Sequence, residues 1–179
     1  MSIRFLSASE WRLLRSARLD ALRESPASFL STFAEERQYG QQRWEAELGR
    51  GDWLVRTSDD AAEAQALLGA TRGADIPAAD RYLSYLWVAP AARGRGLGTT
   101  VVTRMLTHLR EWGVPRVWLW VLDGNDAAGQ LYRKLGFERT GLRKPLPHDP
   151  ARTEERLLLE LFRSNGHVRQ PQPLERHLW

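Results

Sequence analysis

The stretch whose residue types and spacing could do chemistry is Arg93-Gly94-Arg95-Gly96-Leu97-Gly98-Thr99. Glycines at alternate positions let a bulky ligand approach the main chain without meeting side chains, and the two arginines add positive charge beside it. Beyond them apolar residues recur at Val102, Met105, Leu106, Leu109 and Trp112, one face of a helix that Gly113 and Pro115 end. The glycines therefore precede a helix start, where unpaired N–H groups and the positive end of the helix dipole attract anions. A pyrophosphate suits that chemistry, although a plain glycine-rich turn with solvated arginines would use the same residues. A Walker A loop is excluded because no lysine lies here. A dinucleotide fingerprint would need its glycines in a first strand–helix unit, whereas these follow a strand midway along the chain.

That loop must be held by its neighbours. Before it, Leu83 to Val88 is an aromatic-rich apolar run that reads as a buried strand, stopped at Ala89-Pro90. After its helix, Arg116 to Leu122 (RVWLWVL) reads as a second strand. Asp123-Gly124-Asn125 then turns into another helix, with Ala128, Leu131, Tyr132 and Leu135 on one face and Gly136 as its stop. Upstream, the pattern predicts a strand at Ile3 to Leu6 and a helix from Glu10, capped by Ser9 and ended at Ser25-Pro26. An irregular or briefly helical segment covers Ala27 to Gly40, followed by a helix from Gln41 to Leu48 and strands at Trp53 to Thr57 and Ala66 to Thr71. Downstream, Phe137 to Thr140 and Arg156 to Leu161 read as strands flanking a loop with Pro145, Pro147 and Pro150. The stretch from Arg163 to Trp179 reads as a mobile or docking tail.

Counted from Arg93, the loop has the spacing Arg-x-x-Gly-x-Gly, within the longer Val88-x-Pro90-x-x-Arg93-Gly94-x-Gly96-x-Gly98. This resembles the acyl-CoA-binding signature of the GNAT N-acetyltransferase superfamily. A second signature of that family is matched by Asn125-x-x-Ala128-x-x-Leu131-Tyr132 followed by Gly136-Phe137. The resemblance implies an α/β (α+β) GNAT fold over residues 1–162, with 163–179 as a tail. The fold would be a single mixed, mostly antiparallel sheet of about seven strands flanked by about four helices, its fourth and fifth strands splayed around the pantetheine arm. It also implies direct transfer of an acetyl group from acetyl-CoA, as cosubstrate, to the primary amine of a small molecule. The alternatives are a protein or peptide amine, or a catalytically silent acyl-CoA-binding regulatory module. Assembly as a homodimer stays open.

By the same resemblance, the amides from Gly94 to Thr99, with Arg93, Arg95, Gly96, Leu97 and Gly98, hold the pyrophosphate. The main chain of Leu86, Trp87 and Val88 pairs with pantetheine, and Asn125 bonds it or caps its own helix. Tyr132 matches the tyrosine that faces the thioester sulfur, where a phenol can protonate the departing thiolate. Helical spacing by itself makes Tyr132 a core residue. The strand from Tyr82 to Val88 lacks the carboxylate that many members carry there, so the base must come from elsewhere. Glu35 and Glu36, on the acceptor side, and His148, in the proline-rich loop, are the candidates, and by themselves they read as solvated charges. Phe29, Phe33 and Tyr39, with His148, would wall the acceptor.

Composition narrows the class. The chain has 179 residues, 42% hydrophobic and 27% charged, enough for one domain with a real core. Its 8 tryptophans argue for aromatic packing or an aromatic-lined pocket. No apolar run approaches the roughly 18 residues of a membrane span, and the N-terminus lacks a signal-peptide apolar region, so a cytoplasmic protein without a membrane partner is expected. There are 0 cysteines, which rules out a disulfide, a thiolate metal site and an acyl-cysteine intermediate. The histidines lack metal-ligand spacing, so no metal is expected. The net charge of +4 comes from arginines scattered among the acids, with no basic run, so nucleic acid is not an expected partner.

Overall fold

Strand alternation sends successive side chains to opposite faces, and here both faces are apolar, so helices must cover both. A computed structural model describes residues 2–58, 63–147 and 149–162 and has that architecture. In chain order the elements are β1 (Ser2–Phe5), α1 (Trp11–Glu24), α2 (Phe33–Glu36), α3 (Gln41–Leu48), β2 (Gly51–Thr57), β3 (Ala64–Thr71) and β4 (Arg81–Val88). Then follow α4 (Leu97–Glu111), β5 (Arg116–Leu122), α5 (Asp126–Lys134), β6 (Glu138–Leu146) and β7 (Asp149–Glu160). The sheet has 7 strands in the order β1-β2-β3-β4-β5-β7-β6. Every neighbouring pair is antiparallel except β4 and β5, which run parallel. The mixed seven-stranded sheet is as expected. Among the described residues the helices number five, in keeping with about four plus the brief helix expected before Gly40, the single turn of α2 that the Thr32–Glu35 capping box nucleates.

The two faces carry separate cores. On one, Leu54, Leu68, Leu83, Val117 and Leu119 pack against Val101, Val102, Met105 and Leu109 of α4 and Tyr132 of α5. On the other, Trp53, Leu67 and Trp87 pack against Leu14, Ala17 and Leu22 of α1 and Trp44 of α3. Leu83 lies in the first core, yet Tyr85 and Trp87, at the same parity, pack in the second. The switch is a β-bulge. Tyr85 has φ 62°, and the β3 register steps from Leu67↔Trp87 to Gly69↔Ser84, so Tyr85 and Leu86 together face Leu68.

Three local expectations are corrected. Ser9 does not cap α1: the helix begins after Glu10, which makes no side-chain cap bond. The Glu10 carboxylate instead accepts from the Ser7 amide at 2.8 Å and from both terminal nitrogens of Arg4, and the Arg4 bond holds its pKa at about 2. Trp112 does not continue the buried face of α4; it lies at the helix end and is 76% exposed. The proline-rich stretch is not a loop between short strands but the arms of the β6–β7 hairpin, with Pro145 paired to Thr153 at the molecule's edge. The tryptophans divide as well, Trp44, Trp53 and Trp87 being buried in the second core while Trp120 lines a cavity.

Candidate active site

The parallel pair opens the site. β4 and β5 are joined only at Arg81↔Val117 and Tyr82↔Trp118, after which they part. A bulge bends the strand that carries it, and the one at Tyr85 falls where β4 leaves β5. A residue with a side chain held at positive φ costs on the order of 1–3 kcal/mol and persists only where its surroundings impose it. Here the Tyr85 ring packs on Trp53 at 5.1 Å, and its hydroxyl donates to Glu47 at 3.3 Å. Burial pushes the Tyr85 phenol up to about 12.

The gap between the strands is a cavity of about 390 Å³. Its walls include Leu86, Trp87 and Val88 of β4, Val121 and Leu122 of β5, and Asn125, Ala128 and Tyr132 at α5. Asn125 caps α5, its Oδ1 accepting from the Ala128 amide at 3.2 Å, while it also borders the cavity. Tyr132 is 6% exposed and packs edge-on against Phe137 at 5.4 Å. Burial alone raises its pKa, so the phenol stays protonated at neutral pH. The core tyrosine and the cavity tyrosine are thus one residue in one position.

Arg93, the first residue of the glycine-rich loop, lines this cavity. Gly94 and Gly96 sit at φ 73° and 76°, the left-handed region that favours glycine, and Gly96 is the N-cap of α4. The first helical amide to find a carbonyl is that of Thr100, on Gly96 at 3.0 Å. Among the described residues, the amides from Gly94 to Thr99 have no acceptor. Gly98 has a different task. A Cβ there would meet Leu131 Cδ1 at 3.1 Å, so its absence lets α5 press against the start of α4. Arg93 is also reassigned from charging the anion site. Its guanidinium donates to the Val88 carbonyl at 2.8 Å and to Glu24 at 2.5 Å, stitching the loop to β4 and to the end of α1. Arg95 is exposed beside the loop.

Beyond the bulge a second cavity, of about 590 Å³, adjoins the first. Phe29 and Leu30 line both cavities. Glu36 borders the second, but it is buried and held by Arg18, whose Nε and Nη2 reach it at 3.0 and 2.7 Å. Glu35 is turned away, closing the α2 capping box on the Thr32 amide at 2.8 Å. Phe33 packs under Arg23 and against the α1 side of the core rather than lining either cavity. Tyr39 borders a neighbouring cavity with Trp44. His148 lies outside the described residues. No cluster of three or more His, Asp or Glu that could hold a metal occurs among the described residues.

Sequence reasoning missed Glu154, Ser84 and Trp120, which line both cavities. The available signal was alternation. Continuing the β7 pattern back from Leu158 through Arg156 puts Glu154 on the face opposite Leu157 and Leu159.

Comparison with known proteins gives the same picture. Residues 18–137 match the family model described as acetyltransferase (GNAT) family. A mycothiol acetyltransferase from Thermobispora bispora is 43% identical over 67 residues, covering 37% of this chain and 22% of that protein. Another from Nocardia farcinica is 34% identical over 115 residues, covering 52% and 37%. The chain thus spans well under half the length of these curated relatives. Among solved structures, yncA from Salmonella typhimurium, determined with its cofactor acetyl-CoA, superposes with a TM-score of 0.73 at 17% identity over 95% of this chain and 99% of that one. A ribosomal-protein-S18-alanine N-acetyltransferase from Escherichia coli superposes at 0.66 with 18% identity over 93% and 97%. With the parted parallel strands, the open amides at the start of α4 and a family model that covers 120 of 179 residues, the chain belongs to the acetyltransferase (GNAT) family.

Proposed function

We propose that this protein transfers the acetyl group of acetyl-CoA directly to the primary amine of a small molecule. The observation that carries the reading is the run of amides from Gly94 to Thr99 without a protein acceptor, directly after Arg93, which lines the cavity that reaches Tyr132. The loop is exposed to half-buried, so these donors are open to a ligand, and a helix start of this kind suits a pyrophosphate. The residues of the cavity fit the rest of the cosubstrate. Leu86 and Val88 belong to a β4 edge that β5 has left, and with the Val88 carbonyl already taken by Arg93 an extended amide-bearing arm can add along the rest of it as a strand would. Tyr132 supplies a proton at the sulfur end. A second cavity of about 590 Å³ falls in the range of small-ligand sites and supports a small acceptor over a protein one.

Thiol release from acetyl-CoA, screened against amines, polyamines, amino acids, antibiotics and short peptides, tests this reading. Release that depends on a small amine supports it, whereas release with peptides alone moves the acceptor to a protein terminus. Calorimetric binding of acetyl-CoA without any turnover would make the chain a silent acyl-CoA module.

The anion loop gives a separable prediction. In Gly96→Val the new side chain meets nothing within 4 Å, but it must sit at φ 76° and shields the amides. Loss of one or two charge-assisted hydrogen bonds, about 1.5–3 kcal/mol each, should weaken acetyl-CoA binding at least about tenfold in calorimetry on the folded variant. Gly98→Val is the contrasting case, because it strikes Leu131 and should lower thermal stability as well. Unchanged affinity in the Gly96 variant would remove the phosphate cradle from this loop.

A further inference from the structure

The two cavities meet at Ser84, Trp120 and Glu154, and among the described residues Glu154 is the one carboxylate that lines both. Its position follows from register. Glu154 pairs with Leu122 on β5 and with Lys144 on β6, which places it on the sheet face that carries Trp120 and Arg156. Trp120 and Glu154 on that face line both cavities.

The other carboxylates of the second cavity are already engaged. Glu36 takes two nitrogens of Arg18, and Glu47 accepts from Arg50 at 3.2 Å and Tyr85 at 3.3 Å. Asp75 accepts from the Tyr82 hydroxyl at 2.8 Å. Glu154 is different. Its side chain is 6% exposed, and its enclosed Oε1 is in an ion pair with Lys144 but accepts no hydrogen bond. Lys144 Nζ stands 3.3 Å from Oε1, in a direction that gives no hydrogen bond, and it is drawn over the Trp120 ring at 4.1 Å. A carboxylate so enclosed, with one ion pair and no hydrogen bond to Oε1, has acceptor capacity left for the ammonium of a ligand in the cavities it lines.

We infer that Glu154 is the base that takes the acceptor's ammonium proton, and that the acceptor is a primary ammonium whose aromatic or alkyl body lies on Phe29, Leu30 and Trp120. The inference rests on the acetyltransferase reading and deepens it. Tyr132 lines the first cavity alone and Glu154 the junction, so proton donor and proton acceptor stand at the sulfur and amine ends of the reaction. Glu154 removes one proton from the ammonium. The freed nitrogen pair forms the C–N bond at the thioester carbonyl carbon, and the C–S bond breaks with its electrons on sulfur. Tyr132 gives its phenolic proton to that sulfur and is reprotonated, through solvent, by the second proton lost from nitrogen. Glu154 returns its proton to solvent. The sum is acetyl-CoA plus ammonium giving amide, CoA thiol and one proton.

The test uses two acceptors of nearly the same shape. Phenethylamine is an ammonium at pH 7, whereas O-benzylhydroxylamine is neutral there and needs no base to free its lone pair. Wild type should acetylate both. Glu154→Gln should lower kcat/KM for phenethylamine by about 10²–10⁴-fold while leaving O-benzylhydroxylamine within about threefold, the range expected for loss of a general base. Glu154→Asp, which keeps the carboxylate on a shorter arm, should recover part of the phenethylamine rate, and thermal melts of both variants show whether either has failed to fold. Equal losses on the two acceptors, or no loss on either, would overturn the role of Glu154. A wild type that binds acetyl-CoA in calorimetry but acetylates neither probe overturns the acceptor class. Failure to bind acetyl-CoA sinks the acetyltransferase reading itself, and this inference with it.

Discussion

Tyr132→Phe should cut kcat by about 10²–10⁴-fold, the usual effect of losing a general acid, while acetyl-CoA affinity stays near wild type. The substitution removes one hydroxyl and keeps the ring on Phe137, so the fold should be unaffected or slightly more stable. The sign of the pH effect follows from burial. The phenol's pKa is raised, its proton-donating form is the neutral one, and activity due to it therefore persists below that pKa and is lost above it. The wild-type rate should show no alkaline limb from Tyr132 below about pH 10, the unperturbed value. Stopped-flow thiol release, under conditions where chemistry limits the rate, measures both quantities. Near-wild-type turnover of the Phe variant would leave Tyr132 as packing only. An alkaline limb near neutrality that disappears in the Phe variant would contradict the raised pKa.

Glu36→Gln should destabilise the protein by about 3–5 kcal/mol, the typical cost of breaking a buried ion pair from one side. Arg18 is 4% and Glu36 7% exposed at the side chain, so the stranded guanidinium could not reach water. It would stay between the rings of Phe29 and Tyr85, 4.5 and 4.2 Å from their centroids, with Nη1 already lacking a partner. The pair joins α1 to α2 and holds Phe29 at the mouth of both cavities, so acceptor KM should rise in whatever fraction stays folded. Urea unfolding of Glu36→Gln beside Arg18→Met/Glu36→Leu decides the matter. The apolar pair should regain much of the lost stability, because it leaves no unpaired charge. A Glu36→Gln midpoint equal to wild type would mean that the ion pair contributes nothing net. Glu35→Gln should cost less, since it loosens only the single-turn α2 at the surface.

These expectations differ from what the same residues suggest in the linear chain, where Glu35 and Glu36 look like interchangeable acids near an acceptor. Consecutive positions on a helix point about 100° apart, so one turns inward to Arg18 and the other back to the helix cap. Nothing in a window of neighbouring residues reveals Arg18, which lies on another helix. Trp112 departs from the buried face for a related reason, since apolar spacing extends past the last turn of α4 while helix packing stops at Leu109. The β6–β7 hairpin was shortened because Pro145 and Pro147 read locally as breakers, and a strand at the sheet edge tolerates proline.

By itself the sequence determined the glycine-rich anion loop at the start of α4, the helix that carries Tyr132 and the strand on either side of them. Those features are written in contiguous residues: turn chemistry, a 3.6-residue period and a run of β-branched and aromatic side chains. Tertiary structure alone decided where β4 and β5 part, which tryptophan faces the cleft and that the β7 face to which alternation assigns Glu154 is the one bordering the cavities. Each depends on the parity of a strand relative to partners far away in the chain. One bulged residue at Tyr85 reverses that parity in β4, and the pairing of β7 with β5 turns Glu154, rather than Glu155, toward the junction of the cavities.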